Sequence, residues 1–252
     1  MYTRGKRFIL LVVASTTVTC SASFAQSDAA GPTANVPHVS SALAAPLRAA
    51  RDALQAKPPK LQEAVARLKE AEANPLKTPY DEHIINVLAG SAYARLNDYP
   101  EAERAFAAQV DDGFTSPADF PRIIKAVVQI NYQLKNYALA VEFGTRALKE
   151  SAEDEELYTI VSQAYYLNGQ YGAVREFLER RIESLERRGR EAPPQYLQLI
   201  AGSCSKLQDS ECVTTYYKRL NGGPKRDAPR HPILIDPELK HDAMYQANAS
   251  SQ

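Results

Sequence analysis

The chain has no tryptophan, only two methionines, three cysteines and four histidines among its 252 residues. So few His and Cys leave little material for a metal centre, and they do not stand at ligand spacings. There is no surplus of either charge, since 30 Lys and Arg balance 30 Asp and Glu. That argues against nucleic acid as the main partner, because phosphate binding needs a net basic face. Motifs of common enzyme sites are missing too: no phosphate-binding Gly-rich loop, no dinucleotide fingerprint and no HExxH helix. Gly202-Ser203-Cys204 is no nucleophile elbow, having neither a second glycine nor a strand before it. No apolar run approaches the roughly 20 residues that a membrane-spanning helix needs.

What is present begins with a processing signal. Arg4, Lys6 and Arg7 form a basic start, Phe8 to Val18 is a short apolar run, and Ser23-Phe24-Ala25 offers small residues for cleavage before Gln26. This order is that of a secretory signal peptide over 1–25, with no integral membrane segment left after cleavage. It places the mature chain in the periplasm or outside the cell. A lipoprotein signal ending at Cys20 is the rival, though Thr17, Val18 and Thr19 match its usual form poorly. Once Cys20 is removed, only Cys204 and Cys212 remain. In an oxidising compartment they admit one intramolecular disulfide across the last helical hairpin; two buried free thiols are the alternative.

Residues 26–39 are small, polar and proline-containing, and read as a flexible spacer. From 40 to 221 one helical pattern follows another. From 222 to 252 the tail carries four prolines (Pro224, Pro229, Pro232 and Pro237) and a lone aliphatic trio, Ile233-Leu234-Ile235. It reads as partly disordered or as a cap.

The helix starts are written in capping chemistry. Thr78-Pro79 and Ser116-Pro117 each put a hydroxyl before a proline and an acid three residues on (Asp81, Asp119). Ser151 followed by Glu153, Asp154, Glu155 and Glu156 predicts a third start, and Pro193-Pro194 a fourth. Between them lie short breaks at 97–98, 135–136, 168–169 and 208–209. Each break divides a block into two helices.

The blocks superimpose. Leu96, Tyr99, Ala102 and Phe106 correspond to Leu134, Tyr137, Ala140 and Phe143, and then to Tyr171, Val174 and Phe177. A weaker copy runs Leu207, Ser210, Val213 and Tyr216. The tyrosine slot recurs at spacings of 38, 34 and 39 residues. An earlier pair of helices, 43–56 and 60–73, places Ala64 and Leu68 in the same slots.

With Ala89, Gly90 and Tyr93 in the preceding helix, these residues resemble the tetratricopeptide repeat (TPR) family, as found in exported proteobacterial repeat proteins. The chain departs from the family at its first-helix Trp, replaced here by Asn86, Ile124, Tyr158 and Leu197. The resemblance implies an all-α fold, a right-handed superhelical stack of antiparallel helix pairs over 40–221, with first helices lining a concave face. Mapping the inward slots gives Arg95; Lys125, Gln129, Tyr132 and Gln133; Thr159, Gln163 and Tyr166; and Gln198 and Lys206. Amides and tyrosines in that pattern suit an extended peptide, whose backbone needs donors and acceptors along its length. An ordinary solvated face is the alternative. Some family members clamp a C-terminal carboxylate with Lys and Asn. Here Lys125 and Gln129 take those places but Ile160 breaks the set.

His83 reads as a surface residue of a first helical turn. The run from Glu176 to Arg190 reads as a long solvated helix with i,i+4 pairs such as Glu176–Arg180 and Glu183–Arg187, or as a basic stripe for an acidic partner. The expectation for function is an interaction scaffold for a protein or peptide, within a cell-envelope complex, with no catalytic residues, no cofactor and no metal. Self-association as a structural envelope protein is the second reading.

Overall fold

In four helix pairs the first helix ends on the same backbone device. In the computed structural model, which describes residues 37–222, Asn97, Lys135 and Gln208 have φ of 60° and Gly169 has φ of 74°. Each is the left-handed residue that closes a helix. The next residue's N–H then reaches back to a carbonyl five positions earlier: Asp98 to Tyr93, Asn136 to Asn131, Gln170 to Tyr165 and Asp209 to Cys204, each at 2.9 Å. Orphan carbonyls are satisfied and the chain is aimed into the next helix at one angle. Of these four only one uses glycine; Gly189, with φ of 69°, closes α8 in the same way, Arg190 N–H reaching the Leu185 carbonyl at 3.0 Å. A non-glycine residue there costs about 1 kcal/mol, so Lys135→Gly is expected to stabilise the protein by about that much. A melt of the variant checks this; an unchanged or lower midpoint would contradict it.

Ten α-helices follow one another among the described residues: α1 Ala44–Gln55, α2 Leu61–Glu72, α3 Pro79–Arg95, α4 Tyr99–Asp111, α5 Phe120–Gln133, α6 Tyr137–Glu150, α7 Glu155–Leu167, α8 Tyr171–Glu186, α9 Pro194–Lys206 and α10 Ser210–Gly222. The expected signal segment, the spacer as far as 36, Cys20 and the tail from 223 lie outside the described residues. No described helix is long and apolar enough to cross a membrane.

The helix starts agree with the capping argument in part. Thr78 opens α3 with a full capping box: its Oγ1 accepts from the Asp81 N–H at 3.1 Å, and Asp81 accepts from the Thr78 N–H at 2.9 Å. Pro193 immediately precedes α9. Two starts differ from the sequence reading. Ser116 caps a single turn, accepting from Asp119 N–H at 3.1 Å, and α5 opens only at Phe120. Ser151 likewise opens a turn. The cap of α7 is Asp154, whose carboxylate accepts from the N–H groups of Glu156 and Leu157.

Every helix packs on its successor, and α1–α3, α5–α7 and α7–α9 also touch. No even-numbered helix touches another even one among the described residues. Odd helices therefore line the inner side of the stack. The α3–α5 step is the exception, since these two do not meet. Between α4 and α5 runs the eight-residue segment 112–119, whose Phe114 packs edge-on to Tyr80 at 5.5 Å. His83 sits in this corner rather than at the surface. Its side chain is 11% exposed and its Nδ1 lies 2.7 Å from Asp112 Oδ2.

The core is serial. One apolar cluster joins α1 to α4 and takes in Ile130 of α5, a second spans α4 to α7, and a third spans α8 to α10. Each helix pair finishes its core only against its neighbour, as in repeat proteins.

Candidate functional site

The candidate partner-binding residues all lie on odd helices, and the structure brings four of them together across α5 and α7. Lys125 Nζ lies 2.9 Å from Asp154 Oδ2 and 2.7 Å from Glu156 Oε2. Gln129 donates to the same Glu156 at 2.6 Å. One turn on, Tyr132 Oη donates to Gln163 Oε1 at 3.0 Å. Tyr132 also meets Tyr137 edge-on at 5.7 Å, and Tyr166 repeats this on Tyr171 at 5.2 Å. Gln133 and Thr159 are half-buried on the same two helices. Thr159 turns its hydroxyl back to the Glu155 carbonyl at 2.9 Å.

The electrostatics follow from these contacts. Burial works against charge on both Lys125 and Asp154. For Lys125 the two carboxylates outweigh it and hold the ammonium above its ordinary value. For Asp154 the Lys125 ammonium and the helix N–H groups outweigh it and hold the carboxyl low. Burial, with Tyr137 adding to it, pushes the Tyr132 phenol up to about 12, so it remains a donor. One ammonium faces two carboxylates here. Lys125 is thus neutralised within the protein and is not an unpaired cation awaiting a C-terminal carboxylate.

Other candidates stand apart. Arg95 donates to the Leu54 carbonyl at 3.1 Å, tying α3 to the end of α1. Gln198 and Lys206 are exposed on α9, with no hydrogen bond to the α5–α7 group. Cys204 and Cys212 are joined in a disulfide between α9 and α10, their Cα atoms 5.9 Å apart. Closing so short a loop contributes about 2–3 kcal/mol by chain entropy. Cys204→Ser with Cys212→Ser should lower the melting temperature by several degrees under non-reducing conditions. An unchanged melt would show that the bond does not stabilise the last repeat.

The charged run after Glu176 differs most from its sequence reading. The helix stops at Glu186, and Arg181 is buried, with 1% of its side chain exposed. Its guanidinium lies 4.4 Å from the Tyr158 ring and donates to Glu155 at 2.6 Å and Glu153 at 3.3 Å. Arg188 and Arg190, beyond the helix, close on the same two acids. Tyr196 Oη donates to Glu155 at 2.7 Å. Glu176–Arg180 is a loose surface pair at 3.8 Å, and Arg187 reaches the Glu183 carbonyl rather than its carboxylate. Arginines held this way are not a basic stripe open to an acidic partner. The signal was in the repeat register: Arg181 falls where α4 has buried Gln109 and α6 has buried Ala147.

The same register puts small residues where helices must approach. A Cβ on Gly90 would stand 2.7 Å from the Phe106 ring, so α3 and α4 pack glycine against aromatic at the turn of the pair. With the shared closing turn and the odd-helix inner face, this gives a stack of antiparallel helix pairs, as the resemblance to the tetratricopeptide repeat implies.

No protein-family model matches the sequence, and no curated protein matches it. Among solved structures, a mutant form of MamA superposes with a TM-score of 0.48 at 14% identity, covering 73% of this chain and 95% of that one. MamA 41-end from Desulfovibrio magneticus RS-1 gives 0.44 at 14% identity, covering 73% and 96%. A Podosopora anserina kinesin light chain described as having nearly identical TPR-like repeats gives 0.43 at 16% identity, covering 72% and 93%. Likenesses this distant carry neither a partner nor an activity across.

Proposed function

We propose that this chain is a protein-interaction scaffold that holds a peptide segment of a partner on the face formed by α5 and α7, in the periplasm as part of an envelope complex. The observation that carries this reading is the Tyr132–Gln163 pair. An amide and a phenol on adjacent repeats are locked to each other at 3.0 Å, half-buried, beside Gln129, Gln133 and Tyr166. Such groups are pre-positioned, so a bound backbone need not order them. The two acids around Lys125 favour an uncharged or basic segment at that end over a carboxylate terminus. Export is supported by the basic-then-apolar start of the sequence and fits the Cys204–Cys212 bond.

The test is capture from envelope extracts by the purified protein. A defined partner should be recovered. Tyr132→Ala combined with Gln163→Ala should weaken its binding by roughly 30-fold, the size of a hot-spot loss. Circular dichroism confirms that the variant is folded. Capture unaffected by the double substitution would reject the α5–α7 face.

A further inference from the structure

Counting from the residue that opens each second helix (Tyr99, Tyr137, Tyr171, Ser210), the positions three, seven and eleven further on form one face. In α4 this face is Ala102, Phe106 and Val110, in α6 Ala140, Gly144 and Leu148, and in α8 Val174, Leu178 and Ile182. The α8 set is 0%, 0% and 2% exposed, because α9 lies on it. A Cβ on Gly144 would overlap the Val161 side chain of α7, so the same face of α6 receives the following helix. In α10 the equivalent residues are Val213, Tyr217 and Asn221. Val213 is half-buried, Tyr217 is 38% exposed and Asn221 is exposed. They border an open hollow of about 510 Å³ with Thr214, Lys218 and Gly222. The last helix thus keeps the shape of an acceptor with no described helix after it.

We propose that the chain's own C-terminal segment, led by Ile233-Leu234-Ile235, occupies this acceptor face in the place of an eleventh helix. The segment is attached at the face itself, since residue 223 follows the last residue of α10. Ten residues lie between Gly222 and Ile233, so the eleven Cα–Cα steps reach up to about 36 Å. The whole of α10 is about 20 Å long. The trio is the aliphatic cluster of residues 223–252. Just after it, Asp236-Pro237-Glu238 has the cap, proline and acid of a helix start. Leu239 and Ala243 then fall four apart in sequence. A segment tethered this closely acts at an effective concentration on the order of millimolar. It therefore outcompetes a second copy of the chain present at micromolar concentration.

The test uses the full chain with Leu234→Asp, with Tyr217→Lys, and with both. Hydrogen exchange of the α10 amides and light scattering are measured on each. Each single substitution should speed α10 exchange about 10-fold, and the double should add little, since both remove one contact. The protein should stay monomeric throughout. Leu234 lies outside the repeat core, so its variant keeps the fold. Unchanged α10 exchange in Leu234→Asp would overturn the proposal. So would a dimer that Tyr217→Lys splits and Leu234→Asp leaves intact, since the occupant would then be a second copy.

Discussion

Arg181→Ala is expected to cost about 3 kcal/mol, a drop of roughly 6–12 °C in melting temperature for a chain of this size. The guanidinium is buried over Tyr158 and shared between Glu153 and Glu155. Alanine removes the packed stem, leaves a void, and takes away the cation nearest Glu155 and Tyr196. Arg190 still reaches Glu155, at 3.4 Å, which keeps the loss at the lower end for a broken buried pair. Arg181→Met fills the volume without charge and should recover part of the loss, as buried ion pairs often tolerate apolar replacement. A pH series separates packing from charge. Arg181 first, and Arg188 after it, hold the Glu153 carboxyl below its ordinary value. That contribution is present above the unfolded carboxylate pKa and is lost as pH falls through the lowered value. Arg181→Met should therefore flatten the acid limb of the stability curve. Equal melts for wild type and Arg181→Ala would show that the network is ornamental.

Asp81→Ala is expected to cost a similar amount, roughly 3 kcal/mol, by a different route. Asp81 is fully buried. Its carboxylate accepts from Ser40 N–H at 2.8 Å, Thr78 N–H at 2.9 Å and Thr78 Oγ1 at 2.9 Å. One side chain thus caps α3 and anchors the segment that leads into α1. Alanine leaves these part-buried donors without their shared acceptor. Burial alone would raise the Asp81 pKa, but the N–H donors of Thr78 and Ser40 outweigh it and hold it low. The sign follows: the stabilisation is complete above about pH 4, the unfolded value, and disappears as pH falls through the lowered one. The wild-type advantage over Asp81→Ala should be full at neutral pH and should shrink in strong acid. A difference that stays constant with pH would contradict the carboxylate's role.

The parts of the fold legible in the sequence are those set by local chemistry. Turn residues at 97, 135, 169 and 208, the slot shared by Tyr99, Tyr137 and Tyr171, and the Thr78 cap each act within a few residues. They place the helix pairs without knowledge of the rest. What the sequence reading misplaced lies about one repeat apart. His83–Asp112, Lys125–Asp154, Gln129–Glu156 and Arg181–Glu153 are separated by 29, 29, 27 and 28 residues. In a stack, a side chain meets the neighbouring repeat, so its partner is sought one period away rather than on its own helix. Charge pairs sought at i,i+4 on α8 missed the clasp that buries Arg181. The α5–α7 residues were identified as a set because they share one helix face. Their mutual pairing was not legible, because it depends on how closely α5 and α7 approach.

The central claim is that the partner is held on the inner face between α5 and α7. Site-specific photo-crosslinking in living cells tests it most directly. A photoreactive side chain is placed at Tyr166, on that face, and in a second protein at Arg180, whose side chain is 75% exposed on α8. The account predicts a discrete crosslinked partner from position 166 and none from position 180. Crosslinks from 180 with none from 166 would contradict it.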